Sequence, residues 1–283
     1  MKVAHHIQEL NDPDCRGDSS SVCALVPTMG SLHDGHLALI TRARQLIGPE
    51  GTIILSLFVN PTQFDRAEDL EHYPRSLESD LELCRKYGVD IVFAPEVAEI
   101  YQPDHSVIVS ESSLSRQLCG ASRPGHFDGV CTVVLKLLNI TRPDIALFGK
   151  KDYQQLAIIR RMVRDLNLAI RIEAVDTIRE TSGLALSSRN QRLTDQQRTD
   201  AARINRALQA ARTVYLEGER CVETILRIAR DEIESSGMDP QIDYLEIVDQ
   251  DSLQHLDTIT TPAIIATAVF YGEVRLIDNI ELD

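Results

Sequence analysis

The chain has 283 residues, 43% hydrophobic and 25% charged, with a net charge of −14. This is an ordinary globular composition, long enough for one large domain or two ordinary ones. The acidic balance argues against broad binding to nucleic acid or to an anionic membrane, so an anionic substrate would need its own local positive field. No apolar run approaches the roughly 20 residues that span a bilayer. Residues 1–7 lack the apolar core of a signal peptide. The six cysteines (Cys15, Cys23, Cys84, Cys119, Cys131 and Cys221) are scattered and form no CxxC pair. They read as reduced thiols filling the core of a cytoplasmic protein.

In chain order, residues 22–26 read as a short buried strand and 37–47 have helical periodicity. A second buried strand is expected over 51–59, ending in the proline-bearing loop 60–64. Residues 65–75 are polar and read as irregular. A helix follows over 76–87, with Leu77, Leu81, Leu83 and Cys84 on one side. Strands are expected at 90–94 and 107–109, a turn at 123–129, and a helix over 130–139. The next strand, 144–148, runs directly into Gly149-Lys150-Lys151-Asp152-Tyr153-Gln154-Gln155. Helix 156–166 and strand 170–175 complete the alternation. Strands and helices at this spacing predict an α/β fold, with a Rossmann-like parallel sheet covered by helices on both faces. Ligands of such sheets collect at the carboxyl ends of the strands. The turns 27–36, 60–64 and 149–155 all follow strands and are expected to face one crevice.

The character changes near Thr181. Residues 182–190 are small and turn-like, 195–217 and 220–235 read as helices, and 242–248, 263–271 and 274–280 as strands. Two helices before an antiparallel hairpin predict a smaller C-terminal α+β domain. The expected division is 1–180 and 181–283.

Chemistry concentrates in four places. Val26-Pro27-Thr28-Met29-Gly30-Ser31-Leu32-His33-Asp34-Gly35-His36 runs from strand to glycine turn to helix start. Backbone N–H groups and the positive helix end suit a phosphate there. His33 and His36, three apart, lie on one face of the first turn and can donate to phosphate oxygens. The loop is neither a Walker A loop nor GxGxxG. In the second stretch, Lys151 can neutralise a triphosphate as a point charge. Asp152 can cap the following helix, or meet a ribose hydroxyl or a metal. Ser187-Ser188-Arg189-Asn190 offers hydroxyls, amides and a guanidinium, either as an interdomain linker or as a closing lid. Gln63 and Gln155 can read a hydroxyl and a carboxylate without burying a further charge. Arg123 and His126 form a weaker candidate. His5, His6, His72, His105 and His255 read as structural or surface residues.

Taken together and in order, Pro27-Thr28-Met29-Gly30, His33-Asp34-Gly35-His36, residues 58–64, Arg123-Pro124-Gly125-His126-Phe127, Lys151-Asp152-Tyr153-Gln154-Gln155 and Ser187-Ser188-Arg189-Asn190 resemble the pantoate–β-alanine ligase (pantothenate synthetase) family. The resemblance covers nearly the whole chain, to Asn279. Its His-x-Gly-His element alone marks only the wider nucleotidyltransferase superfamily. The resemblance implies ATP-dependent condensation of (R)-pantoate with β-alanine through pantoyl adenylate, releasing pyrophosphate and AMP, on the route to coenzyme A. It implies that Met29, Gly30, Ser31, Leu32, His33, Asp34, Gly35 and His36 embrace ATP, with His36 as donor to the phosphates and His33 assisting. Lys151 would steady the phosphates, and Ser187, Ser188 and Arg189 would contact the triphosphate. Gly149, Lys150, Lys151, Asp152, Ile178 and Leu186 would line the nucleotide pocket. Gln63 and Gln155 would hold pantoate, with Gln63 also near β-alanine. Mg2+ carried by ATP, and a cytoplasmic homodimer, are further implied; protein ligands of the metal are not. Lys150 stands where the family usually has an acid, and Ser182 where it usually has an aspartate. Ser31, Asp34 and Leu186 replace a commoner alanine, glutamate and methionine. A nucleotidyltransferase with a phosphorylated acceptor would instead carry basic residues at 63 and 155. A silent nucleotide-binding module would lack His36 or Lys151.

Overall fold

In a computed structural model, residues 1–10, 21–65, 67–74 and 76–283 are described. The chain begins with β1 (Lys2–Ala4), α1 (Ile7–Leu10), β2 (Cys23–Thr28), α2 (Asp34–Ile47), β3 (Thr52–Leu57), α3 (Ala67–Glu71), α4 (Leu77–Lys86), β4 (Ile91–Phe93) and α5 (Val97–Ile100). It continues through α6 (Leu118–Ser122), α7 (His126–Thr141), β5 (Ile145–Gly149), α8 (Tyr153–Asp165) and β6 (Arg171–Val175). It closes with α9 (Asp195–Leu216), α10 (Val222–Glu234), β7 (Gln241–Asp249), β8 (Ala263–Tyr271) and β9 (Val274–Leu282). Two compact units result. The first comprises Met1–Ser112, Arg123–Lys150 and Gln155–Asp176; the second comprises Ser113–Ser122, Lys151–Gln154 and Thr177–Asp283.

The first unit is built on a six-stranded sheet of order β1-β4-β3-β2-β5-β6, and every pairing in it is parallel. Consecutive strand residues point to opposite faces. Ala24, Leu25 and Val26 are all fully buried, as are Ile53, Ile54 and Leu55, so both faces are covered. Leu37, Ile40 and Ala43 of α2 and Cys84 of α4 pack on one face, against Val26, Leu55 and Val92. The chain steps from β2 through β3 to β4 in one direction, then returns to place β5 on the other side of β2. The switch therefore lies between β2 and β5. The carboxyl ends of β3, β2 and β5 are neighbours, and from them issue the segments bearing Gln63, His33 and Lys150.

The second unit carries an antiparallel sheet of order β7-β8-β9. Its α9 presents Ala201, Ala202, Ala207 and Ala211, and these small residues pack in one cluster with Ile225 and Ile233 of α10 and with Ile247 and Ile265 of the sheet. Thr194 starts α9 with a reciprocal cap: its hydroxyl accepts from Gln197 N at 3.2 Å, and Gln197 Oε1 accepts from Thr194 N at 3.0 Å. Gly272, at φ 59°, makes the tight β8–β9 turn.

Some expectations fail. Residues 107–109 join no strand, and Val107 and Ile108 are 80% and 67% exposed. β1 is too short to give a periodic signal. α7 starts at His126 rather than 130, because Gly125 takes a left-handed φ of 78° and ends the turn there. Part of 65–75 is helical, as α3; residues 66 and 75 lie outside the described residues. Leu77 is 46% exposed, while Asp80 on the same helix is 2% exposed. Among the described cysteines all are free, and Cys84, Cys119 and Cys131 are buried. Cys221 is exposed at the start of α10 and Cys23 is half-buried, so neither is plain core filler. Cys15 lies outside the described residues.

Candidate active site

The glycine turn after β2 is held by a buried carboxylate. Gly30 and Ser31 both take positive φ, 83° and 51°. Asp80 accepts from Ser31 N and from Leu32 N, each at 2.8 Å, and from the Ser76 hydroxyl at 3.2 Å. Two amides expected to face a phosphate are thus already bound to protein. What the turn offers outward is the helix start and its imidazoles.

Those imidazoles cap α2. His33 is the N-cap residue, and its Nδ1 accepts from Gly35 N at 3.2 Å. His36 Nδ1 accepts in turn from His33 N at 3.3 Å. This is a capping box with histidines in place of Ser/Thr and Glu/Gln. An acceptor Nδ1 must keep its lone pair, so the proton of each neutral ring sits on Nε2, which is a donor. The ring centroids are 4.1 Å apart. A Cβ on Gly35 would stand 2.9 Å from His33 Cε1, so the glycine makes room for that ring.

Beside this turn, Asn60 organises the loop after β3. Asn60 is 1% exposed. Its Oδ1 accepts from the Tyr101 hydroxyl at 2.9 Å and the Thr62 hydroxyl at 3.0 Å. Its Nδ2 donates to Gly129 O at 3.1 Å and to Gln63 Oε1 at 3.0 Å. The Gly129 carbonyl can only accept, which fixes the Asn60 amide, and that in turn fixes Gln63 Oε1 toward it. Gln63 Nε2 therefore points the other way, donating to Met29 Sδ at 3.2 Å. Burial pushes the Tyr101 hydroxyl upward in pKa, against the effect of its bonds to Thr62 and Asn60, so it stays a donor.

The loop is also held from α7. Gly129 meets it so closely that a Cβ there would stand 2.5 Å from Thr62 O. His126 Nδ1 donates to Gln63 O at 2.7 Å and Arg123 Nη2 to the same oxygen at 3.3 Å. Arg123 also pairs with Asp65 at 2.6 Å. Burial acts to raise Asp65, but the bond and charge of Arg123, aided by the His126 charge, outweigh it and hold the carboxyl below the usual range. Arg123 and His126 thus set the Gln63 backbone.

Gly149 closes β5, opposite Val175 of β6. Lys150 Nζ pairs with Asp176 Oδ1 at 3.1 Å, so this unusual lysine arrives with a partner. Gln155 is half-buried in the first turn of α8.

The other candidates belong to the second unit. Lys151 O accepts from Asn279 Nδ2 at 2.8 Å, and Lys151 Nζ lies 3.8 Å from Asp152 Oδ2. Ile178 and Leu186 are joined through Leu186 N to Ile178 O at 3.0 Å. Ser187 Oγ accepts from Arg189 N at 3.3 Å and starts the short 3-10 turn Ser188–Arg192. Asn190, 4% exposed, donates to Glu180 Oε1 and Ala185 O at 3.1 and 3.0 Å. Its Oδ1 is buried with no protein partner, in a narrow recess that Lys151, Ser187 and Asp278 also line. Asp278 is held by Arg179 in a two-pronged pair at 2.6 and 2.9 Å.

Asp80 and Tyr101 carry no local signal in the sequence, and Asn60 stands within the 58–64 motif with no role of its own assigned there. Asp80 reads as a surface acid, and the importance of Asn60 depends on Tyr101 and Gly129, far away in the chain. Among the described residues, no group of three or more His, Cys, Asp or Glu side chains is placed to hold a metal ion.

Residues 2–281 match the family model described as pantoate-beta-alanine ligase. The chain is 52% identical over 258 residues to the pantothenate synthetase of Akkermansia muciniphila, covering 91% of each. It is 47% identical over 281 residues to that of Citrifermentans bemidjiense, covering 99% of this chain and 98% of the relative. Its structure is similar to the crystal structure of pantothenate synthetase from Thermus thermophilus, with a TM-score of 0.93 and 42% identity over 100% and 99% of the two chains. It is also similar to a pantoate-beta-alanine ligase from Francisella tularensis complexed with beta-gamma ATP and beta-alanine, with a TM-score of 0.80 and 32% identity over 100% and 98% of the chains.

Proposed function

This chain belongs to the pantoate–β-alanine ligase family, and from that premise we propose that it makes pantothenate through a pantoyl-adenylate intermediate. The pantoate carboxylate attacks the α-phosphorus of ATP, and the bond to pyrophosphate breaks. The amine of β-alanine then attacks the acyl carbon, loses a proton and displaces AMP. The observation that carries this reading is the Gln63 Nε2 to Met29 Sδ contact. It joins a phosphate-suited helix start to a neutral amide suited to a small hydroxy acid.

In this reading His33 and His36 donate through Nε2 to ATP phosphate oxygens and stabilise the charge that builds as the phosphoryl centre is attacked. The cap fixes both rings before ATP arrives. Gln63 exchanges its weak bond to sulfur for one to pantoate, with Gln155 as the second holding group and β-alanine near Gln63. Lys151, Ser187, Ser188 and Arg189 steady the triphosphate. Met29, Gly30, Ser31, Leu32, Asp34, Gly35, Gly149, Lys150, Asp152, Ile178 and Leu186 complete the nucleotide contacts. Residues 1–180 serve as the ATP- and pantoate-binding part and 181–283 as the lid.

Mg2+ enters this reading on the triphosphate, held by phosphate oxygens and water. The ion would neutralise phosphate charge. No helix among the described residues is long and apolar enough to cross a membrane. The described cysteines are free thiols, in keeping with work in the reducing cytoplasm. The active form is a homodimer. The test is formation of pantothenate and AMP in equal amounts from ATP, D-pantoate and β-alanine. AMP release that needs no β-alanine, or that follows other acids equally well, would refute the assignment.

A further inference from the structure

The buried amide of Asn190 is fixed in one orientation. Its Nδ2 spends both hydrogens inside the second unit, on Glu180 Oε1 at 3.1 Å and Ala185 O at 3.0 Å. Both partners are acceptors: one is a backbone carbonyl, and the other is a carboxylate that takes bonds from Arg198 of α9 at 2.9, 3.1 and 3.2 Å. The amide cannot turn over without setting oxygen against oxygen. Oδ1 therefore faces the recess, where it is buried and has no partner among the described residues. A buried acceptor left unmatched is costly, so the recess calls for a donor.

The lining of the recess singles out that donor. Besides Asn190, its polar side chains are Lys151, Ser187 and Asp278, and the rest is apolar. Both oxygens of Asp278 are engaged, by Arg179 at 2.6 and 2.9 Å and by Asn279 N at 2.8 Å. Ser187 Oγ is turned to Arg189 N at 3.3 Å. Lys151 brings three N–H donors on a flexible stem, and its side chain is only 17% exposed. Its Nζ stands 3.8 Å from Asp152 Oδ2, beyond hydrogen-bond length.

We propose that Asn190 is a positioning residue for Lys151: its Oδ1 is the resting acceptor of the Lys151 ammonium, and ATP draws that ammonium off onto phosphate. The proposal rests on the reading of Lys151 as a triphosphate-binding lysine. Rotation about the lysine stem makes the contact, and ATP then meets a side chain that is already ordered. The Asn190 N–H also donates to Ser187 O at 3.0 Å, at the head of the turn that bears Ser188 and Arg189. One residue thus joins the lysine to the turn, the two groups that grip the triphosphate.

The experiment follows Lys151 in the full chain by brief treatment with acetic anhydride and mass mapping, with exposed Lys86 as the internal reference. Asn190→Ala removes the acceptor, and Lys151 labelling without nucleotide is expected to rise roughly tenfold, the worth of one such bond. Asn190→Asp keeps an oxygen there and adds negative charge. It is expected to lower Lys151 labelling below wild type and to raise KM for ATP, because the ammonium must leave an ion pair. A purely structural role predicts the opposite sign here, since a loosened turn would raise labelling in both variants. A rise with Asn190→Ala together with a fall with Asn190→Asp supports the proposal, and any other pattern overturns it. Should either variant fail to fold, crystals of the wild-type protein without nucleotide decide: Nζ within about 3.2 Å of Asn190 Oδ1 supports the contact, and a longer separation overturns it. If the contact is present but Lys151→Ala binds ATP as well as wild type, the resting contact stands and the reading of Lys151 on the triphosphate falls.

Discussion

Asp80 holds Ser31 in a left-handed conformation. Its buried carboxylate accepts the Ser31 N–H at 2.8 Å, at a residue whose φ is 51°, and takes the Leu32 N–H at the same distance. The turn that leads into the two histidines is therefore set before any substrate binds. Asp80→Ala would leave both N–H groups unpaired, a loss of about 1–3 kcal/mol for each that stays buried. We expect a lower Tm and a raised KM for ATP, with KM for β-alanine changing less. Equal effects on both substrates would show that Asp80 acts only through global stability.

Gly129 plays the matching part for the glutamine loop. A Cβ there would stand 2.5 Å from Thr62 O and 2.8 Å from Gln63 Cα, and backbone cannot swing aside as a flexible side chain can. Gly129→Ala is expected to displace Gln63, with a stability loss of about 1–3 kcal/mol. The raised KM should be that of pantoate, while KM for ATP is largely kept. Steady-state kinetics with each substrate varied in turn would detect the reverse pattern, which would remove Gln63 from the pantoate site.

The Asp65–Arg123 pair gives a dependence on acid. Asp65 lies below the usual carboxylate range because Arg123 outweighs the opposing effect of burial. Its stabilisation is thus complete above the unfolded value of about 3.9 and is lost as pH falls through the lower native value. Wild type should melt above Asp65→Asn at neutral pH, and the two Tm curves should converge in strong acid. A gap that stays constant from pH 7 to pH 2 would contradict this.

The cysteines separate by environment. Burial holds Cys84 up to about 11 and Cys131 up to about 12, so both are protonated at ordinary pH. Cys221 is exposed, and the Thr224 backbone N–H, with the Thr224 side chain, lowers its pKa. Brief iodoacetamide treatment at pH 8 followed by mass mapping should label Cys221 in the native protein. Cys84 and Cys131 should react only in denaturant. Labelling of either at the rate of Cys221 would refute their burial.

Legibility in the sequence follows the range of the interaction. β2 and α2 are plain because an apolar run, a glycine turn and helical spacing are local signals. His33 and His36 are legible as a pair three apart, although their role as mutual caps is not. Asp80 is hidden because α4 buries it where apolar periodicity favours Leu77, which is exposed. The pull on Asp80 comes from two backbone amides nearly fifty residues earlier. Asn60 is hidden in the same way, since two of its four bonds, those to Tyr101 and Gly129, form only after folding. The β-branched run at 107–109 predicts a strand, but among the described residues no strand pairs with it and it stays irregular.

The most direct measurement is exchange of labelled pyrophosphate into ATP with D-pantoate as the only acid present. Adenylation before the amine attacks requires exchange that depends on pantoate and needs no β-alanine. His36→Ala should slow it on the order of 100-fold or more, through loss of a preorganised donor. Exchange without pantoate, or none from protein that still makes pantothenate, would contradict the adenylate route.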